Sequence, residues 1–300
     1  MRLRMGTRGS ALALAQSGWV AERLRELHTG LEVETAVIKT SGDLFATESP
    51  RELYAAQGTK GLFVKEIEEA LQDGRVDLAV HSAKDLPGSL APGLAVAAYP
   101  EREDPRDAFI GRDGLAWGDL RAPARIGTSS LRRKVQVLAV RPGLEVLPLR
   151  GNVDTRLRKL REGRFDGLVI AAAGLRRLGR SDVPHELIPT DVMLPAPGQG
   201  ALAVETRADR EDLLGLIGRL DHAATRLEVE WERAFLVAMG GGCSTPLGAL
   251  ACARDGEVEL SVFWSDAEGR SPARLSLPCP EPSRREGFAA ELAARLRRNP

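Results

Sequence analysis

"RIGTSSLRRKVQ", residues 125–136, decides the fold, because "RMGTRGSALALAQ" at residues 4–16 echoes it. Each reads as a short apolar strand, then Gly-Thr, then a serine placed to accept backbone N–H bonds at the start of a helix. Two such strand-to-helix openings, well separated along the chain, predict two doubly wound α/β domains of related build.

Working outward, "LRMGT" is a strand, and the helix opened by Ser10 carries Leu12, Gln16, Trp19, Val20, Leu24 and Leu27 near the 3.6-residue period. "EVETAVIK" (32–39) predicts a second strand. "LFVKEIEEALQDG" (62–74) predicts a helix with Phe63, Ile67 and Leu71 on one face and Gly74 closing it. "VDLAVHS" (76–82) is a strand running into the polar segment "HSAKDLPG". This alternation argues for mostly parallel sheets. "YPEREDPRDAF" (99–109) and "LPAPGQGA" (194–201) read as crossovers, so the first domain spans 1–99 and 200–219 and the second 105–194. A third part, 220–300, holds the strands "VELSVFW" and "ARLSLP" and a final helix over 284–298. Residues 42–60 lack periodicity and are expected to form a long mobile loop of the kind that acts as a lid.

Three hundred residues suffice for two or three domains. Hydrophobic residues at 43% and charged residues at 28% describe an ordinary globular protein. The 42 basic residues balance the 42 acidic ones, which argues against nucleic acid as a partner. The N-terminus has no apolar core like that of a secretory signal, and no run approaches the roughly 20 apolar residues of a membrane span. A cytoplasmic protein with no membrane association is expected. Cys243, Cys252 and Cys279 are odd in number and lack C-x-x-C spacing, so neither a disulfide framework nor a metal site is expected.

Of the basic residues, 36 are Arg and six are Lys. Several of the arginines crowd helix openings, where the dipole disfavours cations. Arg132 and Arg133 follow the "GTSS" cap; Arg8 precedes Ser10; Arg150 and Arg156 flank Asn152; "AAAGLRRLG" adds Arg176 and Arg177. These positions make sense if anions occupy the helix ends, and the planar fork of Arg suits carboxylates. A ligand with several carboxylates, in a cleft between two domains, is expected.

In "VHSAKDLPG", an extended backbone would turn Lys84 toward that anion site and Asp85 toward the cleft centre, where a carboxylate can hold an N–H group and pass protons. His81 reads as a packed strand-end residue rather than a catalyst. In "AMGGGCSTPLG" (238–248), Cys243 follows three glycines, and the residues alone leave open a nucleophile, an attachment point or a small core cysteine.

Taken in order, "GTRGSALALAQ", "KTSGD", "GTKGLFVKEIE", "AVHSAKDLP", "EREDPRDAF", "GTSSLRR", "LRGNVDTRL", "AAAGLRRLG", "LPAPGQGA" and "GGGCSTPLGA" closely resemble the porphobilinogen deaminase (hydroxymethylbilane synthase) family, from about residue 4 to 250. The resemblance implies two periplasmic-binding-protein-like domains and a smaller C-terminal α/β domain carrying a cofactor cysteine. It implies a monomeric transferase of tetrapyrrole (haem, porphyrin) biosynthesis. Such an enzyme condenses four porphobilinogen molecules head to tail, with release of ammonia, into linear hydroxymethylbilane. It further implies a dipyrromethane cofactor joined by a thioether to Cys243, with Gly240–Gly242 clearing space for the rings. Asp85 takes the catalytic role. Arg8, Lys84, Arg132, Arg133, Arg150, Arg156 and Arg177 become carboxylate partners, and Ser82, Thr128, Ser129, Ser130 and the Gln199–Gly200 turn add hydrogen bonds. Lys60 and Phe63 fall at the lid. Two rivals are a non-catalytic anion binder on the same fold, which needs neither Asp85 nor Cys243, and a cysteine-nucleophile enzyme, which needs a histidine that no pattern supplies.

Overall fold

The computed structural model describes residues 1–41, 63–241, 245–266 and 268–298. By internal contacts the chain divides into two units, Met1–Glu103 with Ala201–Val229, and Asp104–Gly200 with Glu230–Pro300. Each unit contains one of the two predicted openings.

In the first unit, β1 (Arg2–Thr7) leads into α1 (Ala11–Leu27), and the Ser10 hydroxyl accepts from the Ala13 N–H at 3.3 Å, capping the helix as expected. With β2 (Glu32–Val37), α2 (Lys65–Gln72), β3 (Leu78–Ser82), β4 (Leu94–Ala98) and the returning strand β10 (Leu202–Arg207), it builds a sheet of order β2-β1-β3-β10-β4. β1 is parallel to β2 and β3, while β10 is antiparallel to β3 and β4. Strand periodicity sorts the core into two layers. Leu78 and Val80 pack with Val20 and Leu24 of α1 and with Leu213 and Ile217 of α6 (Glu211–Gly218). Ala79, on the other face, meets Ile67 and Leu71 of α2. Each fully buried leucine such as Leu24 or Leu78 contributes about 1.5–3 kcal/mol.

The second unit repeats the plan. β5 (Asp107–Gly111), β6 (Arg125–Gly127), α3 (Leu131–Val140), β7 (Glu145–Leu147), α4 (Val153–Arg161), β8 (Gly167–Ala171), α5 (Ala172–Arg177) and β9 (Glu186–Leu187) give a sheet of order β7-β6-β8-β5-β9. β6 is parallel to β7 and β8, and β5 is antiparallel to β8. Gly127 is required here, since a Cβ would stand 2.7 Å from Leu168 Cδ2. The α/β character and the two doubly wound sheets are as expected. A separate antiparallel sheet, β11 (Leu247–Arg254), β12 (Glu257–Trp264) and β13 (Ala273–Pro278), follows α7 (Ala223–Ala238) and precedes α8 (Arg285–Arg298). Trp231 of α7 meets Phe288 of α8 edge-on at 5.8 Å.

Four expectations need correction. Residues Ala83–Asp85 form a single 3-10 turn, not an extended segment. The Ala83 N–H is drawn onto the Ala201 carbonyl (3.0 Å), and Leu86 then closes back on Ala83 (3.3 Å). α2 begins at Lys65, so Phe63 precedes it. The crossover from residue 99 ends early, because Asp107–Phe109 already belong to β5. Arg176 and Arg177 occupy the last turn of the six-residue α5, where cations suit the dipole, so the helix-opening reasoning does not extend to them. The expected lid, 42–60, lies outside the described residues.

Candidate active site

In the first unit the end of β3 forms one wall of a pocket. Arg8, Gln16, Phe63, His81, Ser82 and Asp85 line it. The 3-10 turn sets Asp85 between two buried anchors, Ala83 and Leu86. Gln16 Nε2 donates to Ser82 Oγ at 2.9 Å, tying α1 to the strand end. The Arg8 guanidinium lies over the Phe63 ring, 4.1 Å from its centroid, a stacking worth about 0.5–2 kcal/mol. Arg8, Phe63, Ser82 and Asp85, singled out from the sequence, are thus together. Lys84 is on the same turn but is not among the lining residues, and Lys60 lies outside the described residues.

The second unit holds a buried cationic cluster. α3 is capped by Ser130, whose hydroxyl accepts from the Arg133 N–H at 3.4 Å, and its first turn delivers Arg132 and Arg133 to the start of β5. There they share one carboxylate. Arg132 Nη1 donates to Asp107 Oδ2 at 2.7 Å, and Arg133 Nη2 donates to Oδ1 at 2.8 Å. Asp107 is fully buried, and the two arginines are 4% and 7% exposed. Burial alone would raise the Asp107 carboxyl; the two guanidiniums override it and hold the group well below the usual carboxylate range. Gln199 completes the cluster, its Nε2 donating to Asp107 Oδ1 (3.0 Å) and to the Pro105 carbonyl (2.7 Å).

Positive charge is in surplus there. Burial lowers Arg132, repulsion from Arg133 adds to this, and Asp107 counters it. Arg156, on the first turn and a half of α4 behind the Asn152 cap, is lowered to about 10 by burial and then by Arg133. The only hydrogen bond of its side chain among the described residues runs from Nε to the Gly151 carbonyl at 2.8 Å. Three guanidiniums therefore share a neighbourhood with one carboxylate, an arrangement an anionic ligand would relieve.

The hydroxyls differ in what remains available. Ser129 Oγ donates to the Leu149 carbonyl (2.8 Å) and accepts from the Leu149 N–H (3.0 Å), so its proton is engaged. Thr128 Oγ1 and Ser130 Oγ act as acceptors toward the backbone, leaving their O–H groups to donate. Arg177 Nη2 donates to the Gly200 carbonyl at 2.5 Å. Gly198 and Gly200 adopt positive φ, and the Gly198 N–H donates to Glu232 Oε2 at 2.6 Å while the Ala251 N–H donates to Oε1 at 3.0 Å. Glu232 thus pins the Gln199 turn to α7 and β11. Sequence reasoning missed it, along with Asp107 and the His81–Glu205 pair; only the placement of Asp107 inside "EREDPRDAF" hinted at a role.

Cys243 lies outside the described residues. The helix α7 ends on Gly240 and Gly241, whose N–H groups donate to the Val237 and Leu236 carbonyls. Neither of the other cysteines suits a nucleophilic role. Burial pushes the Cys279 thiol up to about 12, and Cys252 packs against the core of Val135, Leu194, Leu250 and Phe263.

Residues 3–215 match the family model described as "Porphobilinogen deaminase, dipyromethane cofactor binding domain", and residues 226–276 match "Porphobilinogen deaminase, C-terminal domain". A porphobilinogen deaminase of Roseiflexus sp. (strain RS-1) is 52% identical over 266 residues, covering 89% of this chain and 86% of that protein. One of Brevibacillus brevis (strain 47) is 42% identical over 307 residues, covering 99% and 98%. Among solved structures, a probable amino-acid ABC transporter extracellular-binding protein of Bacillus subtilis is 10% identical with a TM-score of 0.43, covering 73% of this chain and 90% of that one. By sequence, over nearly its whole length, the chain belongs to the porphobilinogen deaminase family.

Proposed function

We infer that this chain is a hydroxymethylbilane synthase, which joins four porphobilinogen molecules head to tail, releases four ammonia molecules, takes up one water, and yields linear hydroxymethylbilane for tetrapyrrole synthesis. The observation that carries the reading is the charge imbalance around Asp107. Each pyrrole of substrate and cofactor bears an acetate and a propionate, and Arg156 is a half-buried cation whose side chain is hydrogen-bonded, among the described residues, only to a carbonyl. The residues present therefore fit a dipyrromethane. Arg132, Arg133, Arg150, Arg156 and Arg177 are assigned to its carboxylates and those of the growing chain, with the Thr128 and Ser130 hydroxyls and the Gln199–Gly200 backbone as further donors.

When bound, the dipyrromethane supplies the free ring carbon on which the product is extended. Attachment is assigned to Cys243, whose thiolate is the nucleophile such a thioether requires. In the pocket of the first unit, Asp85 holds the pyrrole N–H of the incoming substrate. It then gives a proton to the amine as the C–N bond breaks, and its negative charge stabilises the cation left on the substrate. Arg8 and Lys84 take the substrate carboxylates, Ser82 adds a hydrogen bond, and Phe63 screens the pocket from water. We further propose that the protein works as a cytoplasmic monomer. Among the described residues, no helix is long and apolar enough to cross a membrane.

Replacing Asp85 tests the assignment. Asp85→Ala should bind porphobilinogen with affinity near that of the wild type while turnover, followed by ammonia release, falls by about 10³-fold or more. A variant turning over at the normal rate would remove Asp85 from this role.

A further inference from the structure

A buried histidine in the same pocket has no part in the roles assigned above. His81, on β3, is 5% exposed, and its Nε2 lies 3.0 Å from Oε2 of Glu205 on β10. In the strand register Ala203 faces His81 and Glu205 faces Ala79, so the pair is a diagonal neighbour across the antiparallel ladder. Glu205 is fully buried, and its other oxygen, Oε1, has no hydrogen-bond partner among the described residues. A dry carboxylate with an unsatisfied oxygen holds the N–H donor beside it and favours positive charge forming there during a reaction, and the donor beside it is His81. Glu68 shares this buried field: burial and then the Glu205 charge raise its carboxyl, while His81 pulls it down.

The pairing also sets the tautomer. A carboxylate only accepts, so Nε2 carries the proton and Nδ1 keeps its lone pair. Nδ1 makes no hydrogen bond with any described residue, and the ring lines the pocket together with Ser82 and Asp85. A pair needed only to hold two strands together would have no use for such a position. The backbone ladder from Leu202–Ser82 to Thr206–Leu78 already does that.

Condensation moves two protons at different atoms. The C–N bond of the aminomethyl group breaks with its electron pair leaving on nitrogen, which takes a proton and departs as ammonia. The new C–C bond uses the electron pair of the acceptor ring's free carbon. That carbon then loses its hydrogen as a proton, and the C–H pair restores the aromatic ring. No electrons are gained or lost overall, and the proton released from carbon balances the one delivered to the amine.

We propose that His81 is a second catalytic residue, whose Nδ1 takes the proton from the acceptor ring carbon while Glu205, a positioning residue, holds the ring and stabilises its imidazolium. The proposal rests on the assignment of this pocket to the condensation. Asp85 serves the amine and His81 the carbon, so neither group must reverse its role within a step.

The test compares wild type, His81→Asn and Glu205→Gln using porphobilinogen and porphobilinogen deuterated at its free ring carbon. His81→Asn should fold, keep the intact mass of the cofactor-bearing chain, and turn over about 10²-fold more slowly. A primary isotope effect absent from the wild type should appear, because the carbon–hydrogen break has become slow. Glu205→Gln should show the same isotope effect with a smaller loss of rate, and it carries the test if His81→Asn does not fold. Isotope effects of unity in both variants would overturn the proposal, whether their rates were normal or reduced, since a purely structural role moves the rate alone. An active wild type with unaffected variants would sink only this assignment. A wild type that releases no ammonia would sink the proposed function as well.

Discussion

Asp107 is the residue on which most of the second unit's polar interior depends. It faces two guanidiniums and Gln199 with no solvent to share the load. Replacing it with Asn would leave two buried cations without a counter-charge, a loss of about 3–5 kcal/mol. The sign of the pH dependence follows from its lowered folded value. The stability it contributes is present above the unfolded carboxylate value of about 3.9 and is lost as pH falls below it toward the folded value. Urea unfolding should therefore show Asp107→Asn well below wild type at pH 7, with the gap narrowing in acid. Equal midpoints at pH 7 would refute the role. Arg156 shows the complementary case. Its folded value near 10 marks a cation kept from water, which a ligand carboxylate would restore toward its ordinary range.

Helix openings are where sequence and structure agree most closely, because a cap is a local event. Ser10, Ser130 and Asn152 cap α1, α3 and α4 as their neighbours in sequence predict. Asn152 Oδ1 accepts from the Thr155 N–H at 2.9 Å, and Asn152→Ala should lower stability by about 1 kcal/mol in chemical denaturation, while Asn152→Gly should cost only a few tenths. An alanine variant as stable as wild type would show that the cap is idle. The misreadings come from partners distant in sequence. The turn at Ala83–Asp85 depends on Ala201, and the strand at Asp107 depends on Ala171 and on Leu187 beside Ala108. Arg132 and Arg133 were legible as unusual, but nothing near them in sequence announces that their first anion is Asp107. The His81–Glu205 pair bridges 124 residues and was invisible for the same reason.

Across the whole molecule, two sheets of one strand order are assembled from different parts of the chain. The antiparallel fourth strand of the first sheet, β10, arrives late, and that of the second, β5, arrives before its own parallel strands. The repeat was readable from two Gly-Thr-Ser openings, while the source of the fourth strands was not, since no local pattern marks a returning strand. A formal net charge of zero likewise conceals a local surplus of buried arginine. We assign this surplus to a polycarboxylate group tethered through Cys243. Intact-protein mass spectrometry of the purified, folded chain tests it most directly. The expected mass exceeds that of the 32.4 kDa polypeptide by one dipyrromethane, an excess lost in Cys243→Ser. The bare polypeptide mass in folded, active wild-type protein would contradict it.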